Sequence, residues 1–451
     1  MNNDLWLIAI TIIGIGVLLY LVMVSKLQAF VALLIASILI GLASGMDLNK
    51  IIETVESGMG GTLGFIAVVV GLGAMFGEVL KVSGGAERLA LTMVNKFGDN
   101  KAQWALGLTG FIVSIPVFLD VALVILIPIV YSLSEKAKKP VLYYGIPLLA
   151  GLAVTHAFVP PTPGPITVAK MLDVELGWVI LFGIIAGLPA MILAGPVFGT
   201  YISKKVHLEL PDAAKLHGDV EAMKDQKDLP SFKLVVSLIL IPLALILINT
   251  VSGVVLSDGT LKDVLTFIGH PFIALIITVL LTFWLLGTRR GYTKVDIQEI
   301  ATKALEPAGI IILITGAGGV FKQTLIDSGV GKVMGEFMAQ SNLPIVMVAF
   351  LIALFVRIAQ GSATVAMVTA AGLVSPIISD MSVSQPVLGL ITIAIASGST
   401  AVSHVNDSGF WLVNRFFGMT EKQTLKTWTV METIIGFVGF AVVMILSLFI
   451  K

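Results

Sequence analysis

The sequence contains no cysteine, and only 12% of its 451 residues are charged. Without cysteine the chain has no disulfide, no thiolate metal site and no cysteine nucleophile. So few charged residues cannot cover the surface of a water-soluble globule. The 28 basic and 28 acidic residues cancel, so the net charge gives no indication of a nucleic-acid partner. With 57% hydrophobic residues and a mean hydropathy of +1.01, the chain belongs in a lipid bilayer.

Charge-poor stretches of about 20 residues recur along the whole chain, and each is long enough to cross the hydrocarbon core as a helix. The first stretch lacks a basic leading region and a small-residue cleavage site, so it predicts a mature helix rather than a signal peptide. We therefore expect an all-α polytopic membrane protein. The stretches are residues 5–24, 27–45, 61–80, 104–134, 141–159, 177–203, 234–254, 266–286, 307–326, 343–379, 387–405 and 429–450.

One long polar linker, residues 204–233, divides the chain into two halves that resemble each other. The sequence GLGAMFGEVLKVSG from Gly71 aligns with GAGGVFKQTLIDSG from Gly316. Further along, the AVTH that ends at His156 aligns with the AVSH that ends at His404. Ordered matches of this kind indicate a diverged internal repeat. The linker, rich in both charge signs, is expected to be a cytoplasmic loop.

Two apolar stretches fit neither one crossing nor two. Residues 104–134 contain one charge, Asp120, and residues 343–379 contain one charge, Arg357. Each stretch is expected to form a re-entrant hairpin, whose non-helical tip at membrane depth must line a cavity or be buried in protein. The expected tips are residues 114–120 and 360–364.

Counting the hairpins as non-crossing gives five crossings in each half, and an odd number inverts the second half relative to the first. Placing the N-terminus outside leaves most of the 28 lysines and arginines on the cytoplasmic side, as the positive-inside rule requires. The expected units are a first repeat, 1–203 (scaffold helices 1–60, hairpin 104–134, broken helix 141–171), the linker 204–233, and a second repeat, 234–451 (hairpin 343–379, broken helix 387–416).

The two broken helices are expected from their residue types. THAFVPPTPGP, residues 155–165, places four prolines in an apolar run, and proline cannot continue a helix. In the second half SHVNDSG, residues 403–409, is expected to make the matching break. Free backbone groups at such breaks are tolerated where they line a polar site, and a half-helix N-terminus suits an anion. Two tips and two breaks should therefore converge on one polar chamber for a hydrophilic anion.

Asp120 is the strongest site candidate, because an aspartate near the bilayer centre costs about 2.5–3.5 kcal/mol to insert. Desolvation favours its protonated form, and protonation would admit an anion and couple the two fluxes. The alternative is a hydrogen bond that closes the hairpin. Asp407 is the rival proton site or a helix N-cap. Arg357 is a candidate carboxylate partner, or it neutralises Asp407 or Glu432. The expected substrate-binding residues are Ser114, Asp120, His156, Thr162, Gly164, Gln360, Gly361, Ser362, Thr364, His404, Asn406 and Asp407.

Several stretches together resemble the gluconate:proton symporter (gluconate permease) family of the ion-transporter superfamily. They are ESGMGGTLGF (56–65), PVFLDVALVILIP (116–128), THAFVPPTPGP (155–165), GAGGVFKQTLIDSGV (316–330), RIAQGSATVAMVTAAG (357–372) and SHVNDSGFWLV (403–413). The resemblance implies uptake of a sugar acid with protons and an elevator movement of the hairpin-bearing domain against a scaffold that often dimerises. Two positions depart from the pattern: many relatives have Glu in place of Asp120 and His in place of Thr162.

The resemblance implies a non-enzymatic secondary transporter of the bacterial inner membrane, with gluconate as the expected cargo because SHVND resembles the gluconate branch more than the D-serine branch. Its expected partners are a sugar acid, protons and lipid, with no cofactor, metal or nucleic acid and with a homodimer as a candidate assembly. Three alternatives remain open. The first is a sodium-coupled carboxylate carrier or a D-serine carrier of the same superfamily. The second is a membrane-embedded enzyme, although the sequence has no metal-ligand spacing or GxSxG pattern to support it. The third is a passive channel.

Overall fold

The computed structural model describes residues 3–98, 101–208, 228–330, 333, 343–379 and 381–450. All regular structure in this part of the chain is helical, which confirms the expected all-α class. The first half contains α1 (Asn3–Met23), α2 (Ala29–Ala43), α3 (Leu48–Val82), α4 (Gly85–Phe97), α5 (Ala102–Val113), α6 (Leu119–Ala137), α7 (Val141–Phe158), α8 (Pro163–Leu172), α9 (Leu176–Ile192) and, after a π-helical turn at Leu193–Val197, α10 (Phe198–Ile202).

The second half follows the same order of long helices, helix pairs and interrupted helices. It contains α11 (Phe232–Val255), α12 (Thr260–Gly269), α13 (Pro271–Thr282) with a π-helical turn at Phe283–Gly287 and a 3₁₀ turn at Thr288–Arg290, α14 (Lys294–Lys303), α15 (Leu305–Asp327), α16 (Ile345–Gln360), α17 (Ala363–Ile378), α18 (Gln385–Thr400), α19 (Ser408–Phe416), α20 (Glu421–Thr424), a π-helical turn at Leu425–Thr429 and α21 (Val430–Ser447).

Eight helices among the described residues are long and apolar enough to cross a membrane. Five more apolar helices are shorter, with 10–17 residues, and these include α2, α5 and both helices of the second hairpin. The chain is thus a multi-pass membrane protein. The eight spans are Leu5–Val22, Leu48–Val82, Val141–Leu172, Leu176–Ile202, Phe232–Val255, Pro271–Arg290, Lys294–Asp327 and Glu421–Ser447.

The four expected interruptions are present. The first hairpin is interrupted between Val113 and Leu119, and the second between Gln360 and Ala363. The first broken helix stops at Phe158 and resumes at Pro163, where proline at the first helical position needs no N–H partner. The second stops at Thr400 and resumes at Ser408. Whether the two halves form inverted repeats with the expected domain boundaries stays a prediction.

Two helices differ from the expected bounds. α3 starts at Leu48, capped by Asp47, rather than at residue 61, so a scaffold boundary at residue 60 would cut through it. The charged residues of its first turns lie on an exposed face, which lengthens the helix beyond the apolar run. The apolar stretch 266–286 is not one helix, because His270 and Pro271 end α12 and start α13.

The broken helices lie at the centre of the fold. α7, α8 and α18 are buried along almost their whole length. α5 and α6 both pack against α7, and α16 and α17 both pack against α18. α8 in turn packs against α17 and α18, so the elements of the two halves interlock. This arrangement brings both hairpins and both breaks into one unit.

Glycines allow α3 and α15 to approach each other and this unit. A β-carbon at Gly58 would lie 2.7 Å from Cα of Val320, which only a residue without a side chain avoids. A β-carbon at Gly77 would overlap the carbonyl oxygen of Pro116 at the first hairpin tip, and one at Gly73 would lie 3.6 Å from the carbonyl oxygen of Pro161. The glycine-rich face of α3 thus supports the first tip and the first break.

Candidate functional site

The second break is bound to the second hairpin tip through polar contacts. Arg357, at the end of α16, pairs through Nη2 with Oδ2 of Asp407 at 2.6 Å, and both side chains are buried. The other Nη of Arg357 donates to the Gly361 carbonyl. Nε2 of His404 lies 3.0 Å from the carbonyl oxygen of Ile358. The amide of Asn406 donates to the same oxygen at 3.0 Å. Four of the predicted site residues and the predicted carboxylate partner therefore meet here.

Asp407 is held by three donors. Besides Arg357, the Ser403 hydroxyl donates to Oδ2 at 2.5 Å and the Gly409 backbone N–H donates to Oδ1 at 3.0 Å. The indole of Trp428 donates in turn to the Ser403 hydroxyl at 2.7 Å. Asp407 is the N-cap of α19, a position that carboxylates favour. The geometry therefore matches the N-cap interpretation of Asp407.

The second tip is shaped by Gly361 and carries polar groups. Gly361 has φ +83°, and a β-carbon would also overlap the Asn406 backbone, so only glycine fits this position. Gln360 is buried, yet neither its amide nitrogen nor its amide oxygen forms a hydrogen bond with any of the described residues. The Ser362 hydroxyl caps α17 by accepting from an N–H in the first turn, while Thr364 is partly exposed.

At the first tip and first break, three of the predicted ligand contacts lie against protein groups, and their contact with a ligand stays a prediction. The buried Ser114 hydroxyl donates to the Val117 carbonyl at 3.3 Å, within the tip. The buried Thr162 hydroxyl donates to the Val159 carbonyl at 2.7 Å, across the break. Gly164 faces a methionine sulfur of α17, 2.5 Å from where its β-carbon would lie. These groups contact protein because each short turn satisfies its own backbone first.

Asp120 is exposed, which corrects the expectation of a desolvated aspartate. It lies in the first turn of α6, where the helix dipole favours a carboxylate, and none of the hydrogen bonds formed by the described residues ends on it. His156 on α7 lies beside the first tip, where its ring is edge-on to Phe118 with centroids 6.3 Å apart. α6 packs against α19, which starts at the second break. The first hairpin, the first broken helix and the second break therefore surround one region.

Buried polar atoms without a hydrogen-bond partner concentrate in the same unit. Such atoms are rare in proteins, and each costs about 1–3 kcal/mol. Their number here indicates a polar interior that a ligand with many hydroxyls can satisfy. They are Oγ1 of Thr155, Nδ1 of His156, Nε of Arg357, both amide atoms of Gln360, the hydroxyls of Thr369, Ser397 and Ser399, and Oε1 of Glu432.

Several of these groups were not among the predicted ligand contacts. Thr155, Ser397 and Ser399 are hydroxyl residues inside helices, where sequence gives no sign of which face they occupy. Ser403 and Trp428 interact only because the fold brings them together. Glu432 did carry a signal, since it is the only charged residue within the apolar stretch 429–450.

The chain is similar to known permeases over nearly its whole length. A profile described as GntP family permease matches residues 6–449. The low-affinity gluconate transporter of Escherichia coli (strain K12) is 46% identical over 429 residues, 95% of each chain. The gluconate permease of Bacillus licheniformis is 40% identical over 451 residues, 98% of this chain and 99% of the relative. The crystal structure of the Alcanivorax borkumensis YdaH transporter matches with a TM-score of 0.62 over 89% of this chain and 90% of that one. At 14% identity, this likeness shows the fold alone.

Proposed function

The chain belongs to the GntP family of permeases, and from this premise we propose that it is a proton-coupled symporter for gluconate or a related sugar acid in the bacterial inner membrane. It is a transporter and not an enzyme. The packing of both hairpins around both breaks, among buried polar atoms that lack partners within the described part of the chain, carries the proposal. A polyol carboxylate offers one negative charge and several hydroxyls, which match such a chamber.

The sugar hydroxyls are proposed to bind the unpartnered amide and hydroxyl groups. The Gln360 amide offers both a donor and an acceptor. The hydroxyls of Thr155, Ser397 and Ser399 can each donate one hydrogen bond and accept others. A site built to hydrogen-bond hydroxyls rejects analogues that lack them, because its polar groups are then left unpaired. The site therefore selects a polyol over a simple carboxylate.

The carboxylate is proposed to bind backbone N–H groups at the half-helix N-termini rather than the guanidinium of Arg357. Both terminal nitrogens of Arg357 are already engaged, one with Asp407 and one with the Gly361 carbonyl. The second hairpin resumes as a helix next to this cluster at Ala363, and the first broken helix resumes at Pro163 in α8, which packs against α17. The N-terminus of α19 is already capped by Asp407. N–H groups at helix N-termini favour anions.

Proton coupling is proposed to involve Asp120. Its exposed carboxylate can exchange a proton with water, and Phe118, two residues before it, packs edge-on against His156. An ionised Asp120 repels a carboxylate ligand, whereas the protonated form does not. Binding of a proton would therefore precede binding of the anion, which couples the two fluxes.

Movement of the central unit against α3 and α15 is proposed as the transport step. Two hydrogen bonds join α8 of this unit to α15 and would have to break. Nζ of Lys322 donates to the Met171 carbonyl at 2.7 Å. The hydroxyls of Thr167 and Thr315 lie 3.2 Å apart.

The cargo is tested by counterflow of labelled gluconate in proteoliposomes that contain the purified protein. We expect saturable exchange that unlabelled gluconate and other sugar acids inhibit and D-serine does not. Inhibition by D-serine at concentrations like those of gluconate would refute the sugar-acid assignment. A flux that grows linearly with concentration and shows no counterflow would indicate a channel.

A further inference from the structure

Glu432 is a buried carboxyl that the account above does not use. It lies in the first turn of α21 and is only 4% exposed. Oε1 of its carboxyl group accepts no hydrogen bond from the described residues. Around it on α21, the Thr429 hydroxyl donates to the Ser403 carbonyl and the Thr433 hydroxyl accepts from the Val402 N–H. Glu432 therefore lies at the face of α21 that meets the second break, where Asp407 pairs with Arg357. A buried carboxyl group beside an existing ion pair must either carry a proton or have a counter-charge of its own.

The elements packed against α21 supply one buried cation. They are α7, α9, α16, α18 and the π-helical turns Leu193–Val197 and Leu425–Thr429. α9, α18 and the first turn contain no charged or titratable residue, and the second contributes Lys426, which is exposed. α7 contributes His156 and two tyrosines, and α16 contributes Arg357. Of these groups, Arg357 is the buried one with a permanent positive charge.

These packed elements therefore contain one buried guanidinium for two buried carboxyl groups, those of Asp407 and Glu432. Nη2 of Arg357 is bound to Asp407 at 2.6 Å and its other Nη is bound to the Gly361 carbonyl. Nε of Arg357 has no hydrogen-bond partner among the described residues. An ionised carboxylate that is buried without its own counter-charge is strongly disfavoured. In this arrangement the lower free energy belongs to a Glu432 that carries a proton.

We propose that Glu432 is a second proton-binding site of the transport cycle, acting with the Arg357–Asp407 pair. The proposal rests on the function proposed above. Glu432 takes a proton from water on the outer side. It releases the proton on the cytoplasmic side when the donors of Arg357 turn towards it. With Asp120 as the first site, two protons then accompany each gluconate anion, and one positive charge enters per cycle.

A voltage experiment tests this stoichiometry. Proteoliposomes with equal pH on both sides are given an inside-negative potassium diffusion potential of about 60 mV, which corresponds to about 1.4 kcal/mol per charge, a factor of ten. We expect wild-type protein to accumulate labelled gluconate up to about tenfold. Glu432→Gln should show no response to voltage, yet still accumulate gluconate down an inward proton gradient. Glu432→Asp should retain the voltage response.

Two controls keep the outcomes distinct. Asp327→Asn makes the same exchange of carboxyl for amide on α15, where Thr54 and Gln323 bind the carboxylate, and it should respond to voltage as wild type does. Counterflow shows that each variant is folded. Wild-type protein that transports gluconate without a voltage response overturns the second proton site, and so does an unchanged response in Glu432→Gln. Wild-type protein that shows no gluconate counterflow overturns the proposed function instead.

Discussion

The pair of Arg357 and Asp407 is predicted to hold the second hairpin tip against the second break, and Asp407→Asn tests this. In the variant an amide NH₂ would replace Oδ2, which now accepts from Arg357 at 2.6 Å and from Ser403 at 2.5 Å. The Arg357 guanidinium and the Ser403 hydroxyl, which both donate, would then face an amide NH₂, which also donates. The guanidinium would stay buried without its carboxylate partner. Removing one member of a buried ion pair costs about 3–5 kcal/mol.

The cap itself is not the source of this loss. Asparagine is as good an N-cap as aspartate, so the bond from the Gly409 N–H can remain. Asp47→Asn is the matched control, because Asp47 is an exposed N-cap of α3 that accepts from the Asn49 N–H at 2.9 Å and is paired with no buried cation. Unlike Asp47→Asn, Asp407→Asn leaves a buried guanidinium and the Ser403 hydroxyl without their acceptor.

The assay is thermal unfolding of detergent-purified protein, followed by the amount that remains monodisperse. Asp407→Asn should lower the apparent melting temperature markedly, and Asp47→Asn should leave it close to that of wild type. Replacing both partners, Arg357→Met with Asp407→Asn, should recover part of the loss, because no buried charge is left unpaired. Equal melting temperatures for Asp407→Asn and Asp47→Asn would refute the reasoning.

Four further variants test separate parts of the account. Gly361→Ala should abolish uptake, because the backbone there has φ +83° and the added β-carbon would meet the second break. Gly60→Ala is the control and should transport normally, because its β-carbon would meet nothing within 4 Å. Normal uptake by both variants would contradict the close approach of the second tip to the second break. Asp120→Asn should lower accumulation driven by a pH gradient and leave counterflow intact, and an unchanged accumulation would exclude Asp120 as a proton site. Thr162→Val should reduce thermal stability and leave the KM for gluconate unchanged, since the Thr162 hydroxyl donates to the Val159 carbonyl. A large rise in KM would indicate instead that the hydroxyl contacts the ligand. Gly319→Leu should prevent folding or membrane insertion, because a side chain there would collide with α3, and correctly folded protein in detergent would contradict that packing.

The helix interruptions could be predicted because their signals are local. Proline cannot donate the hydrogen bond that continues a helix, so Pro160 and its neighbours mark the first break. A single charge in an overlong apolar stretch marks each hairpin. His270 and Pro271 carry a similar signal, yet the apolar run on both sides hid it.

The roles of individual site residues could not be read from local patterns, because burial and pairing depend on contacts distant in sequence. Arg357 and Asp407 are 50 residues apart and meet only when hairpin and broken helix pack together. Asp120 and Ser114 share one tip, yet the aspartate is exposed and the serine is buried. The difference lies in which face of the tip meets α7 and α3, and residue type alone does not specify it.

The central claim is that a proton gradient drives uptake of a sugar acid through this protein. The most direct measurement is labelled gluconate accumulation in proteoliposomes at zero membrane voltage, with an inward proton gradient in one set and an inward sodium gradient in another. The account predicts accumulation with the proton gradient alone. Accumulation with the sodium gradient alone, or with neither gradient, would contradict it.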